Sequence, residues 1–500
     1  MATEVAEKTI EYFFISVHSV ISVAIESLPA RRAMQDKTSD TAVTVTCPGI
    51  DPSLAAAAVQ EHERRLAIDD AEPRNLFVLS AFQVLLRIGW IFKTETVIMP
   101  DFVDAIAGAG WVRGLLPVLN RVGQSLPPLC LAENIQRSQS KTRMLLWITL
   151  LMAVPFLALG TIWAALTDQR QPWLPPLFLV LYFLFFALNG LNQQAFGTAQ
   201  GKLIRAVRRG HLMGVSGLIG SVSAVVAAIW LLPGWLRMPN NAGYAPIFLF
   251  NGGMYLVGGL ALLLAREPAD PPQVGSRTAI WQQFVDAWRL FRSDAGFRSA
   301  GWVSMCFISA LLLFPHYQWL GREKLGATNA DLLPWVVAQN LSLGVFSPLL
   351  GRIADRRGNR LAVRIAVFLS AFTPLVALWL ASRSGEHSRT LYALTFALLG
   401  LCPLTIRTIQ NYVLELADES RHSLYLSTMT VCLAVPFVLS PIVGWLVDVF
   451  PYQWTFGAIS AVIALGGVLT FRMPEPRLWT EADNETSRDR KGATPGPTAS

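Results

Sequence analysis

Apolar residues run along this chain in blocks rather than at alternating positions. Between residues 75 and 472 they gather into about twelve stretches, at 75–98, 110–131, 143–166, 174–196, 212–233, 245–265, 299–320, 332–350, 362–381, 391–412, 423–447 and 452–472. A helix crossing about 30 Å of hydrocarbon needs roughly 20 apolar residues, so each block predicts one spanning helix. Helices follow rather than strands, because lipid leaves backbone groups no partner outside the segment. The second and tenth blocks are the most interrupted by polar residues. The expected fold class is an all-α membrane protein of about twelve transmembrane helices in two six-helix halves.

The longest internal break, residues 266–298, divides the blocks six and six. It opens with Glu267-Pro268-Ala269-Asp270-Pro271-Pro272, which no helix tolerates. Trp281, Phe284, Trp288 and Phe291 then recur at steps of three and four, with Gln282, Asp286, Arg289 and Arg292 elsewhere around the wheel. That pattern predicts an amphipathic helix in the membrane interface or, alternatively, one that binds a partner. The expected organisation is an N-terminal cytoplasmic extension over 1–74, a first half over 75–266, a linker over 267–298, a second half over 299–472 and a disordered tail over 473–500. Within the extension, residues 13–25 are apolar but lack the basic start of a signal peptide. They read equally as an interfacial helix or as a stretch upstream of a true start at Met34.

Composition narrows the class further. Hydrophobic residues make up 53% of the chain and charged ones 15%, against the roughly 25% charged residues of a globular protein. The formal charge is +7, yet no basic patch with interleaved aromatics occurs, so nucleic acid is not an expected partner. Basic residues cluster between blocks instead. One side holds Lys141 and Arg143, then Lys202, Arg205, Arg208 and Arg209, then Arg352, Arg356, Arg357, Arg360 and Arg364. The other carries Arg170, Arg237, Arg322, Lys324, Arg383 and Arg389, thinly spread. The first side is expected to be cytoplasmic, and both termini with it, in a plasma or inner membrane. Five cysteines without a CxxC pair (Cys47, Cys130, Cys306, Cys402, Cys432) read as small buried hydrophobes, and no metal or cofactor is expected.

Ionisable groups at bilayer depth are costly and usually face a cavity. Arg87 lies midway along the first block, and Ser80, Gln83, Arg87 and Thr94 fall on one helical stripe. Arg121 is similarly deep in the second block, with Gln124 three residues on. Asn189, Asn192 and Gln193 share a face of the fourth block. Ser309 and His316 are seven apart in the seventh, and Gln339 and Ser342 three apart in the eighth. Two arginines at mid-depth with no obvious carboxylate beside them predict an anionic solute, because the guanidinium fork suits carboxylate or phosphate. The alternative is that they bond backbone and amide groups inside the bundle. His316 reads as a proton carrier or as a structural histidine. Lys93 and Glu95 read as interface anchors and Arg407 as a snorkelling side chain. The candidate binding residues are thus Gln83, Arg87, Arg121, Gln124, Asn189, Asn192, Gln193, His316 and Gln339.

The turn between the eighth and ninth blocks is Gly351-Arg352-Ile353-Ala354-Asp355-Arg356-Arg357-Gly358-Asn359-Arg360, short, basic and bracketed by glycines. Related chemistry stands at Arg208-Arg209-Gly210, at Glu415-Leu416-Ala417-Asp418-Glu419-Ser420-Arg421 and at Ser440-Pro441-Ile442-Val443-Gly444-Trp445-Leu446-Val447-Asp448. With the six-plus-six division, these residues resemble the major facilitator superfamily of secondary transporters over about residues 75–472. The resemblance implies pseudo-symmetric halves rocking about a central site, and a conformational latch at Gly351, Asp355, Arg356, Gly358 and Arg360. In that latch Gly351 lets a neighbouring helix approach, and Asp355 occupies a helix N-terminus. Arg356 and Arg360 pair with carboxylates or anionic headgroups. A plain positive-inside turn is the alternative. The first-half counterpart, residues 133–143, lacks the aspartate, which predicts a weak or absent latch there.

The resemblance implies a secondary active transporter working by alternating access, monomeric in membrane lipid. A proton or sodium ion is the coupling partner that such a mechanism calls for. The side chains favour an organic anion as the small-molecule solute. Export of amphipathic or drug-like compounds is the alternative, although no proline accompanies Gly214, Gly217 and Gly220 as it does in drug/proton exporters. A polytopic membrane enzyme and a transport-dead sensor are the alternatives from other classes. No Gly-x-x-x-x-Gly-Lys-Ser/Thr run points to an ATPase.

Overall fold

The computed structural model describes residues 52–166, 171–270, 280–383, 385–417 and 421–475. The readings of residues 13–25 and of the tail beyond 475 lie outside them. The described chain is helical, joined by turns and short 3-10 segments, with no strand among these residues. In the first half the helices are α1 (Pro52–Ile91), α2 (Ile98–Ile106), α3 (Gly110–Arg137), α4 (Lys141–Ala165), α5 (Leu174–Leu203), α6 (Ala206–Leu236) and α7 (Tyr244–Ala261). Helix α8 (Ile280–Ser293) follows in the linker. The second half holds α9 (Ala295–Ile308), α10 (Phe314–Leu325), α11 (Asn329–Arg357), α12 (Asn359–Ala381), α13 (Glu386–Leu391), α14 (Ala393–Leu399), α15 (Leu401–Glu415), α16 (His422–Ala434), α17 (Ser440–Val449) and α18 (Tyr452–Leu469).

Eleven helical stretches among the described residues are long and apolar enough to cross a membrane. The remaining block is the second. It is present as α3, but Pro117, Asn120, Arg121, Gln124, Pro127 and Pro128 make it the most polar of the set. Such a helix belongs inside the bundle, and α3 packs against α5 on one side and α17 on the other. Spans that were expected to be continuous are often broken. The helix of the first stops at Ile91, short of the expected 98, with the separate short helix α2 following, and the seventh passes through a 3-10 turn at Ser309–Leu313 before Pro315. The eleventh does the same at Val435–Leu439, beside Pro436 and Pro441.

Burial explains the packing. In the first half Phe82, Leu145, Leu191 and Phe196 form one core cluster, and Phe102 lies among Trp163, Phe178, Tyr244 and Phe248. In the second, Trp335 stacks on Phe396 with centroids 4.7 Å apart. Trp147, Trp230 and Trp454 stand 60%, 71% and 75% exposed, which hydrocarbon tolerates and water would not. Helix α8 buries Ala287 and Leu290, sets Phe291 against Trp302, and leaves Trp288 exposed.

The two ends of the bundle differ. At the end away from the basic turns the halves touch, with α3 crossing α17 and α2 meeting α10. Glycine makes the first crossing close: a Cβ on Gly114 would stand 2.5 Å from the Ser440 carbonyl, and one on Gly110 would strike Gly444. The hydrogen bonds between described residues that join the halves involve Arg87, Thr96, Asp101, Gly110, Arg113, Arg121 and Asn329. None comes from the basic turns.

Candidate functional site

The break after Ile91 places Lys93-Thr94-Glu95-Thr96 in non-helical backbone at the heart of the first half. On a helix, residues two apart point away from each other. Here Lys93 Nζ donates to Glu95 Oε1 at 2.9 Å, a pairing the break makes possible. The ammonium lies 3.2 Å from the Trp90 ring centroid and 4.2 Å from that of Phe186, and Lys93 is 0% exposed. The interface-anchor expectation for Lys93 is therefore corrected: aromatic faces and a carboxylate replace its water. Glu95 also accepts from Asn120, Asn120 from Gln124, and Gln124 from Gln193 at 3.4 Å. A polar chain thus runs from the break across α3 to α5. Thr96 donates to Gln339 Oε1 at 2.5 Å and carries the contact into the second half.

Three further guanidinium groups, those of Arg87, Arg121 and Arg407, stand on α1, α3 and α15. Arg87 is half-buried and donates to Asn340 Oδ1 at 3.5 Å. Arg121 reaches the Thr430 carbonyl at 3.3 Å and leaves a buried Nε without a partner. The charged neighbour acting on Arg87 is Arg407 of α15, another cation. Arg407 is exposed, and its charge is near enough to be felt at Arg87. Among the described residues none of the three has an ion-pair partner.

The other candidates separate into two groups. Gln83 and Gln193 are at least partly open, and Gln339 is tied to Thr96. Asn192 turns into the bundle and donates to Thr149 Oγ1 at 2.7 Å, while Asn189 is buried with an unpartnered amide nitrogen. His316 is 0% exposed with both ring nitrogens unpartnered, beside Arg113. Sequence reasoning missed Asn120, Asn340 and the inward roles of Lys93 and Glu95. One signal was readable: a Lys-x-Glu pair inside an apolar block satisfies its charges only if the helix breaks.

At the closed end, Asp101 accepts from Tyr244 and from Gln318 at 2.7 Å, and forms an ion pair with Arg322 at 2.5 Å. Arg113 pairs with Asp104 and, at 3.2 Å, with Asp448, whose other oxygen takes the Gly110 N–H at 2.6 Å. Three carboxylates thus share two guanidinium groups across the halves. Burial pushes the Asp104 carboxyl up to about 6, against the pull of Arg113 and with the like charge of Asp101 adding to the rise. Burial likewise raises Asp101, against the pull of Arg322.

At the basic end, Glu267 closes the first-half turn. Its carboxylate accepts from Ser140 Oγ and from the N–H groups of Lys141 and Thr142, each at 2.8 Å, and from Lys202 Nζ at 2.7 Å. It thereby occupies the N-terminus of α4, where free N–H groups and the helix dipole favour an anion. Burial alone would raise Glu267, but the bonds from Lys202, Thr142 and Lys141 outweigh it and hold the carboxyl below its usual value. Asp270 adds a contact to Lys202 at 3.0 Å, and Glu72 binds Arg205 and Arg208. In the second half Asp355 lies in the last turn of α11, not at a helix N-terminus as expected, because α11 runs on to Arg357 and Gly358 makes the turn. Gly351 has open space where a Cβ would stand, so the close approach expected of it is not made. Arg360 pairs with Glu475 at 3.2 Å and with the Met473 carbonyl at 3.0 Å.

Comparison with known proteins agrees with this architecture. The family model of the Major Facilitator Superfamily matches residues 322–497. Among solved structures, the nucleoside transporter NupG aligns over 80% of this chain and 98% of its own, at 11% identity and a TM-score of 0.59. The POT family transporter PepTSo aligns over 80% and 97%, at 11% identity and a TM-score of 0.61. A bacterial homologue of the human lysosomal transporter Spinster, in an inward-facing and unoccupied conformation, aligns over 82% and 98%, at 12% identity and a TM-score of 0.56. At such identities the likeness speaks for the fold. No curated protein matches the chain by sequence.

Proposed function

We propose that this chain, a membrane transporter of the major facilitator type by family match and fold, carries a small organic anion by alternating access past Arg87, Arg121 and Arg407. The observation that carries this reading is that Arg87, Arg121 and Arg407 have no carboxylate partner among the described residues, while Arg407 acts on Arg87 across the halves. Arg87 and Arg121 belong to the first half and Arg407 to the second. Without a ligand the like charges of Arg87 and Arg407 oppose closure of the path between the halves, and an anion lying between them offsets that repulsion. Closure after binding is the step alternating access needs. Taking the basic end as cytoplasmic, the closed end faces outward and the path is open to the cytoplasm. Glu95 is the carboxylate joined to that path through Asn120, Gln124 and Gln193. Because the same carboxylate holds Lys93, Glu95 is our choice for the site of the coupling ion.

The test is flux into liposomes holding the purified chain, using a panel of labelled organic anions and neutral solutes. At least one anion is expected to accumulate or exchange, and Arg87→Gln is expected to abolish that flux at normal expression. Movement of neutral amphipathic solutes alone would favour the exporter reading. Uptake equal to that of empty vesicles across the panel would count against transport.

A further inference from the structure

The surroundings of Lys93 do more than pair it with Glu95. Its ammonium stands against three rings, 3.2 Å from the centroid of Trp90, 4.2 Å from that of Phe186 and 5.0 Å from that of Phe185. Among the described residues its side chain donates to Glu95 Oε1 at 2.9 Å, and the other oxygen of Glu95 is taken by Asn120. This cation therefore meets one carboxylate oxygen and three aromatic faces. Such an arrangement suits an organic ammonium, for which ring faces replace water. A sodium ion, like other hard cations, seeks a shell of oxygens, and rings supply none.

The rings are held in place by neighbours other than Lys93. Trp90 closes α1 against Phe185 and Phe186 of α5, each with centroids 6.3 Å away. Phe185 stacks on Tyr255 of α7 at 5.5 Å and meets Phe156 of α4 edge-on at 4.7 Å. The cage is thus assembled by four helices, and the lysine fills it completely, at 0% exposure. Lys93 lies two residues from Glu95 on the same chain, so it meets that carboxylate at a high effective concentration. A free cation would have to displace it and also shed its own water, a cost Lys93 has met on folding.

We propose that the Lys93 ammonium is a built-in cation, filling at Glu95 the place a free coupling cation would take, so that transport runs without sodium. This role rests on the proposed function of Glu95 as the site of the coupling ion, and of proton and sodium it leaves the proton. Cutting Lys93 back to its Cβ opens a space the shape of propylammonium, between Glu95 and the rings of Trp90, Phe185 and Phe186.

The experiment follows thermal unfolding of the full chain in detergent, in sodium, propylammonium or N-methylglucamine chloride at equal ionic strength, with propanol as the neutral control. The wild type is expected to unfold at the same temperature in sodium as in N-methylglucamine. Lys93→Ala is expected to unfold earlier. Propylammonium should raise its unfolding temperature with the logarithm of concentration, and propanol should not. Propylammonium no better than propanol would overturn the built-in cation. A stabilisation of the wild type by sodium that Glu95→Gln abolishes would also overturn it, because sodium would then occupy the carboxylate assigned to Lys93. Should Lys93→Ala not purify, it is prepared with propylammonium or propanol present throughout. Recovery in propylammonium alone supports the site, equal recovery in both overturns it, and with recovery in neither the sodium comparison of wild type and Glu95→Gln decides. Flux of a labelled anion into liposomes is expected to be equal in sodium and in N-methylglucamine, and a requirement for sodium would overturn the proposal. Absence of flux for every anion in both salts counts against the transport reading alone, and the unfolding measurements still decide the role of Lys93.

Discussion

The basic turns of the two halves occupy equivalent places and are held in opposite ways. In the first, Ser140, Lys141 and Thr142 surround the carboxylate of Glu267, which also takes Lys202 and is 2% exposed. In the second, Glu475 stands at the same point after the last span, but it meets Arg360 at 3.2 Å and one of its oxygens has no partner. The first turn holds Lys141 and the neighbouring Lys202 internally. The second leaves Arg352, Arg356 and Arg357 facing outward. The turn that looks degraded in sequence is thus the better secured. Its carboxylate comes from more than 120 residues away rather than from within the turn.

Four measurements bear on that contrast, the largest effect first. Glu267→Ala leaves Lys202 and the first N–H groups of α4 without their anion, and is expected to cost roughly 3–5 kcal/mol in unfolding experiments, as breaking a buried pair does. A loss below about 1 kcal/mol would erase the difference between the turns. The same bond has a pH signature. Because the Glu267 carboxyl is held below the 4.5 of a free glutamate, its stabilisation is present above that pH and is lost as pH falls through the lowered value. Second, Gly358 has φ +90° and ψ 154°, a region open essentially to glycine, and a Cβ there would stand 2.8 Å from a Glu475 oxygen. Gly358→Ala is expected to cost roughly 1–3 kcal/mol, whereas Gly351→Ala, inside α11 with open space around it, is expected to stabilise by up to about 1 kcal/mol.

Third, acidity acts on the two turns through the opposite end. Burial holds the Asp104 carboxyl at about 6 when that end is closed, against the 3.8 of a free aspartate, so protonation favours closure as pH falls from about 6 toward 3.8. Between pH 7 and 5 the closed population is expected to gain on the order of tenfold. Spin labels at Arg143→Cys and Arg356→Cys should then report more of the widely separated state, and Asp104→Asn should remove the pH response. An unchanged response in Asp104→Asn would assign it to another group. Fourth, Glu475→Gln keeps the shape and weakens one partly exposed pair, for an expected loss of about 0–1 kcal/mol. A loss equal to that of Glu267→Ala would make the turns alike.

Much of the membrane architecture was legible because lipid imposes it locally. Block length set the spans, and only the second, polar and proline-bearing, fell short of the apolar standard while still forming a helix. The site was legible in part. Arg87 and Arg121 were readable as deep cations, but Arg407 entered their company only through the packing of α15. Asn192 lay on the expected face and was nonetheless taken by Thr149 across α4 and α5. His316 was readable as a titratable group, and burial beside Arg113 sealed it from the path.

By itself the sequence determined that this chain crosses a membrane many times as helices, and where its positive charge collects. Those outcomes depend on segment length and composition, which hydrocarbon reads one stretch at a time. Only the tertiary structure decided which carboxylate each cation meets and which cations are left over. Glu267 reaches Thr142 and Lys202, Asp101 reaches Arg322, and Arg352 reaches none among the described residues. Charge pairing is decided over a few ångströms in space, and helices distant in sequence supply both partners.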